Sequence, residues 1–179
     1  MNLQEKYKKQ IIPAMKEKFG YKNDLAVPKI IKVTINTGIG RFRDNKNAID
    51  EIERSLAKIS GQQPVFTLAK KAIANFKTRL GMKIGLRVTL RGKRMYNFLE
   101  RLVSLALPRT RDFRGLEPTS VDQKGNLTIG IKEHMIFPEI SHEEVRTIFG
   151  LQVCVSTNAK NREEGLELFK LMGFPIKVE

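Results

Sequence analysis

Two stretches of strict alternation, each set beside a helix-length apolar stripe, constrain this fold most. Beyond Pro28, Ile31, Val33 and Ile35 fall on one side of an extended chain and Lys32, Thr34 and Asn36 on the other. Over residues 84–91, Leu86, Val88 and Leu90 share one face, and Arg87, Thr89 and Arg91 share the other. Strands of this kind are half-buried: the apolar side needs a cover and the polar side does not. The covers are present too. Asp44 or Asn45 can cap a helix running to about Lys58, with Ile49, Ile52, Leu56 and Ile59 on one face and Ser60-Gly61 as its stop. A second helix, about 93–106, carries Met95, Phe98, Leu99, Leu102 and Leu105 in register and stops at Pro108.

The remaining segments fit the same scheme. Residues 3–18 read as a helix with Leu3, Tyr7, Ile11 and Ile12 together, a break or kink at Pro13, and Gly20 as its end. Residues 63–68 read as a short strand, and 70–83 as a long basic loop with Met82 near its tip. Turn signals at Pro118 and Lys124-Gly125-Asn126 mark a loop over 109–125. Strands are expected over 126–131 and 151–157, and a last helix over 162–172, closed by Gly173 before Pro175. The expectation is an α+β two-layer sandwich: an antiparallel sheet with helices packed on one face and the other face open. No repeat or low-complexity linker divides the chain, so residues 1–179 are expected to form a single domain, with 70–83 as an extended loop.

Charge says what the open face is for. The chain carries 33 Lys and Arg against 19 Asp and Glu, a net +14. The excess is local. Residues 68–114 hold 13 basic and 2 acidic side chains, whereas residues 115–179 hold 7 basic and 10 acidic. A merely solvated surface would mix the signs throughout, so the concentration points to a polyanion. Lys32, Thr34, Asn36, Arg87, Thr89 and Arg91 offer cations, hydroxyls and an amide, groups suited to phosphates and ribose 2′-hydroxyls. No aromatic interrupts that set, so it reads the shape and backbone of a structured RNA rather than stacking single-stranded bases. The loop adds Lys70, Lys71, Lys77, Arg79 and Lys83, with Phe76 and Met82 among them as apolar groups able to meet an RNA bend or fold onto the core.

Other chemistries fail on inspection. Gly38-Ile39-Gly40 starts a dinucleotide fingerprint, but Arg43 stands where the third glycine is needed. His134 and His142, the two histidines, lack the spacing of a metal pair. The lone Cys154 permits no internal disulfide, fits a reducing cytosol, and reads as a small packed side chain rather than a nucleophile. Adjacent acids such as Glu143-Glu144 and Glu163-Glu164 do not converge as a catalytic pair would. No enzyme activity, cofactor or metal is expected. Glu5, Lys6, Lys8 and Lys9 precede any apolar run, so no signal peptide is expected, and no stretch approaches the roughly 18 apolar residues of a membrane span. Two rival readings remain for test: an RNA-modifying enzyme with a basic surface, which lacks a cofactor loop, and a membrane-surface protein, whose basic helix 3–18 lacks a large apolar face.

The stretch Leu56-Ala57-Lys58-Ile59-Ser60-Gly61-Gln62-Gln63-Pro64-Val65-Phe66-Thr67-Leu68-Ala69-Lys70-Lys71-Ala72 resembles the signature of the ribosomal protein L-five family, the 5S-rRNA-binding proteins of the large subunit. Further blocks resemble that family in order along nearly the whole chain: Val33-Thr34-Ile35-Asn36 with Gly38 and Gly40; Ile73 to Lys77; Gly81 to Gly92; Leu107-Pro108-Arg109 to Leu116; Phe137-Pro138-Glu139-Ile140; and Gly173-Phe174-Pro175. The length suggests the bacterial form. The resemblance implies a cytoplasmic, ribosomal, non-catalytic protein in the central protuberance, touching 5S rRNA, 23S rRNA and neighbouring 5S-binding proteins. It implies that Asn36, Gln63 and Thr89 sit on the RNA surface, with Lys32 and Arg87 near them and Gln62, Thr67, Lys70 and Lys71 in the same signature. It also implies that the loop, with Asn75, Phe76, Lys77, Arg79, Met82 and Lys83, reaches P-site tRNA. A small-subunit head protein would be met through Arg109–Gly115 and residues 134–146.

Overall fold

The computed structural model describes residues 2–141, 143 and 145–177. Five strands, β1 (Ile30–Gly38), β2 (Val65–Leu68), β3 (Lys83–Leu90), β4 (Leu127–Ile131) and β5 (Leu151–Thr157), form one antiparallel sheet in the order β2-β3-β1-β5-β4. Four helices join it: α1 (residues 3–19), α2 (Lys46–Ser60), α3 (Gly92–Arg101) and α4 (Arg162–Met172). This is the α+β sandwich that the alternation calls for. The described residues fall into two compact units, one built from residues up to Val33, Leu90–Ile129 and the chain from Cys154 on, the other from Thr34–Thr89 and Gly130–Val153.

In the first unit, α1 buries Leu3, Tyr7, Ile11 and Met15, one residue per turn, and the Tyr7 hydroxyl donates to Pro28 O at 3.0 Å. Pro13 does not break this helix. Proline has no N–H and its ring crowds the carbonyl four residues back. The chain accommodates it by widening to a π turn over Tyr7–Ile11 just before the proline, then continues as α-helix to Phe19 and ends at Gly20 with φ 71°. A second π turn, Leu102–Ala106, extends α3. It rotates the register by one residue, so Ala106 and Leu107 are buried while Leu105, expected inside, is 46% exposed. On β1 the alternation slips near its start: Ile30 is buried and Ile31, expected inside, is 47% exposed. α4 buries Leu168, Phe169 and Met172, and Phe169 meets Phe174 edge-on at 5.3 Å. Its Gly165 lies against the turn at Gly125, where an added Cβ would run into the Gly125 backbone.

In the second unit, Asn45, not Asp44, caps α2, its Oδ1 accepting from Ala48 N at 3.1 Å, and Gly61 ends the helix with φ 67°. Ala48, Ile52, Leu56 and Ile59 are buried, with Ile35, Leu86, Val88, Leu151 and Val153 of the strands also in the core. β2 pairs with β3 as Val65↔Arg87, Phe66↔Leu86, Thr67↔Gly85 and Leu68↔Lys83, which leaves Ile84 as a one-residue bulge. Thr37, fully buried, donates from Oγ1 to Gly150 O at 2.7 Å.

His134 is fully buried and stacks on Phe149 with ring centroids 4.0 Å apart. Burial holds its pKa below the ordinary value, against the opposing pull of the Phe149 carbonyl and the Glu51 carboxylate. His142 and Glu144 lie outside the described residues.

Two outcomes follow from this packing. Gly165→Ala overpacks a backbone-to-backbone contact and should cost about 1–3 kcal/mol in denaturant melts, whereas Gly130→Ala, whose Cβ would meet nothing, should not. For His134 the folded chain holds the neutral ring, so the unfolded chain binds the proton first as pH falls through about 6.5. Stability is then fully present above that pH and declines below it. A His134→Phe variant, which keeps the stack, should lose that part of the decline when both proteins are melted across the same pH series.

Candidate nucleic-acid interface

Residues directly opposite in an antiparallel pair share a face. The register therefore sets Val65 and Thr67 of β2 on the side of Arg87 of β3, away from the buried Leu86 and Val88. On β1 the same logic separates Thr34 and Asn36 from the buried Ile35. Gly85 joins these rows. A Cβ there would stand 2.6 Å from Thr67 Oγ1, 2.9 Å from Thr37 O and 3.9 Å from Asn36 Oδ1. Glycine at this point is what lets the Thr67 hydroxyl and the Asn36 amide converge over the sheet. Asn36 and Arg87 are exposed; Thr34, Thr67 and Thr89 are half-buried. The second unit thus presents an amide, three hydroxyls and a guanidinium on one strand surface.

Other expected members take different places. Gln62 is half-buried and donates from Nε2 to Thr89 O at 3.3 Å, so it ties the lead into β2 to β3. Gln63 is exposed and donates from Nε2 to Glu53 Oε1 at 2.6 Å, a bond to α2 that nothing in its local sequence announces. Lys32 and Arg91 belong to the first unit: Lys32 is half-buried, and Arg91 is exposed in extended backbone at the start of α3. Val65, an exposed apolar group on the polar face, and Gly85 escape the sequence reading. A glycine inside an alternating strand is the available signal for the latter.

The basic loop is built as a small hairpin. Ala69 N donates to Met82 O at 2.8 Å and Gly81 N to Ala69 O at 3.0 Å, which closes the base. Ile73 and Thr78 exchange backbone hydrogen bonds of 3.2 Å further up. The tip is a turn over Ala74–Phe76, followed by Lys77 in the left-handed region at φ 49°. Met82 therefore lies at the base, not near the tip, because its carbonyl pairs with Ala69. Phe76 is 70% exposed rather than folded onto the core, and Arg43 Nη1 donates to its carbonyl at 3.1 Å. Asn75, Lys70, Lys71 and Arg79 are exposed, while Lys83 Nζ stands 3.9 Å over the Phe66 ring.

Of the segments expected to meet a protein, 134–146 is pinned to α2 at its end, at Arg146 and at Thr147 just beyond it, by one side chain. Glu51 accepts from Arg146 N (2.8 Å), Thr147 N (3.1 Å) and Thr147 Oγ1 (2.9 Å). Burial alone would raise its carboxyl pKa; these bonds and the His134 ring hold it below the ordinary range. In the first unit Arg109, Arg111 and Arg114 are exposed, and Leu116 N closes that loop by donating to Pro175 O at 2.7 Å.

Among the described residues the groups assembled here offer hydrogen-bond donors, acceptors and positive charge, and they form no acid–base pair with a nucleophile beside it. Cys154 is half-buried, with Thr128 Oγ1 3.9 Å from its sulfur. Among the described residues no cluster of His, Cys, Asp and Glu could hold a metal ion, and no helix is long and apolar enough to cross a membrane.

Comparison with known proteins shows the family of the chain. Residues 23–79 match the family model described as Ribosomal protein L5, and residues 83–176 match the model of the same ribosomal family's C-terminus. The chain is 50% identical over 174 residues to the large ribosomal subunit protein uL5 of Thermoanaerobacter sp. (strain X514), covering 97% of each chain. It is 53% identical over 175 residues to the uL5 proteins of Syntrophomonas wolfei, covering 98% of each chain, and of Thermosipho melanesiensis, covering 98% of this chain and 96% of that one. With both halves matched and half of all positions identical along nearly the full length, the chain belongs to the ribosomal protein L5 family: it is a non-enzymatic protein of the large subunit of the cytoplasmic ribosome, where it works with ribosomal RNA.

Proposed function

We propose that this protein anchors 5S rRNA in the central protuberance of the large subunit, acting as one RNA-binding domain. The convergence of Thr67 and Asn36 over Gly85, with Arg87 and Thr89 in the adjacent row, carries the reading. These groups match the hydroxyl and phosphate edges of a structured RNA, and among the described residues no metal-holding cluster stands beside them. Lys32 and Arg91 add positive charge, Gln62 braces β3, and Gln63 is released from Glu53 to face the RNA. 23S rRNA and neighbouring 5S-binding proteins complete the surroundings.

The hairpin at 70–83 is the proposed contact to P-site tRNA. Its exposed tip, with Asn75, Phe76 and Lys77, extends the charged surface beyond the sheet edge, with Arg79 and the more basal Lys83 behind it. Arg109–Gly115 and residues 134–146 are the proposed contact to a head protein of the small subunit. The Glu51 bonds to Arg146 and Thr147 support that part, because they hold the end of the segment ready.

Filter binding of 5S rRNA, against a duplex RNA of equal length, tests the sheet face. The double variant Asn36→Ala, Thr89→Ala removes hydrogen bonds of about 0.5–1.5 kcal/mol each, so 5S affinity should fall roughly tenfold while binding to the plain duplex hardly changes. Equal 5S binding by the variant and the original would sink the model. The cations should act differently. Replacing Lys70 and Lys71 by alanine should weaken binding to both RNAs and lower the slope of log affinity against log salt by about 1 for each phosphate no longer neutralised.

A further inference from the structure

Glu53 is set apart by its surroundings. From Arg54 to Leu99 the chain holds 11 Lys and Arg and no Asp or Glu. A surface that meets a polyanion is expected to shed its carboxylates, because each one opposes a phosphate. Yet the exposed Gln63 donates from Nε2 to Glu53 Oε1 at 2.6 Å, so a carboxylate is bonded to a side chain of the proposed RNA face. The bond is built from both sides. Gln62 Nε2 donates to Thr89 O at 3.3 Å and Val65 pairs with Arg87, which holds Gln63 between them beside the polar rows of β3. Glu53 reaches it from α2, where Ile52 and Leu56 are fully buried and fix the turn that carries it. Asp50, one turn earlier, lines the same cleft of about 470 Å3 as Glu53 and Gln63.

An RNA that lies on the polar rows and reaches Gln63 comes up against that carboxylate. A phosphate in this place meets like charge; a hydroxyl or a base edge does not. A regular duplex repeats phosphates along its whole length, whereas a folded RNA has one arrangement of backbone at each point. We propose that Glu53 is a specificity-determining residue: held at the rim of the sheet face by Gln63, it rejects RNA whose backbone places a phosphate there, and so sharpens the preference for 5S rRNA over plain duplex. This rests on the 5S reading above and adds to it the side chain that excludes the wrong partner. The cations give affinity for any RNA. Glu53 withdraws part of that affinity from RNA that does not fit.

The test is a double-mutant cycle, read by filter binding of the full chain to 5S rRNA and to a duplex RNA of equal length near physiological salt. Glu53→Gln keeps the shape of the side chain and removes its charge. It should tighten duplex binding about fivefold, the upper end for an exposed charge pair, and leave 5S binding within about twofold, so the preference falls. In a Gln63→Ala background the carboxylate is no longer held at the rim, and the same substitution should change the preference by less than about twofold. Asp50→Asn, which removes the second carboxylate lining the cleft, should leave the preference as it is. If Glu53→Gln leaves the preference unchanged, tightens both RNAs equally or weakens 5S binding, the assignment is overturned and the sheet-face reading stands. An equal effect of Glu53→Gln with and without Gln63, or an equal effect of Asp50→Asn, overturns it as well, because the charge then acts at large. If the original protein shows no preference for 5S rRNA, both fall.

Discussion

The division of each central strand into an apolar and a polar side is the constraint from which the other features follow. Ile35, Leu86, Val88, Val153 and Val155 must be covered, and helices are the cover available in an α+β chain. Because one side is taken, the other must be stable without a cover. Asn36, Thr67, Arg87 and Thr89 meet that requirement while leaving hydrogen-bonding capacity unused. The proposed binding surface is thus a by-product of how the core is closed, and it needs no dedicated loop scaffold. Close approach of its rows depends on one missing side chain, at Gly85.

Much of the fold is legible in the sequence because period and punctuation agree. Ile52, Leu56 and Ile59 mark one face of a helix that Asn45 and Gly61 bound, and Leu86, Val88 and Leu90 mark a strand that the structure reproduces. Sequence and structure part where geometry departs from the ideal period. Counting 3.6 residues per turn places Leu105 inside, but the stretch winds as a π turn. Pro13 suggests an interruption, because sequence alone does not show that the preceding turn can widen. Ile31 follows a period of two only if the slip at the start of β1 is ignored.

The site is legible in part for a related reason. Alternation names the residues on a face, so Thr34, Asn36, Arg87 and Thr89 can be chosen from spacing alone. It does not name the long-range bonds that occupy a side chain. Gln63 engages Glu53 of α2, and Gln62 engages the β3 backbone; both bonds span ten or more residues and have no local signature. Met82 falls near the tip only if the loop is a plain arc. The loop is a paired hairpin, whose base brings Ala69 to Met82.

The edges of the sheet carry a consequence of their own. A chain waiting for its RNA in solution exposes unpaired strand edges, which can template pairing with another copy. β2 is four residues long and its register slips at Leu68, and Lys70 and Lys71 follow soon after it. β4 has glycine at its fourth position and runs directly into Lys132. Short length, irregular register and flanking charge all oppose strand-to-strand polymerisation, so the charge proposed to meet a polyanion also guards the sheet edges against a second copy.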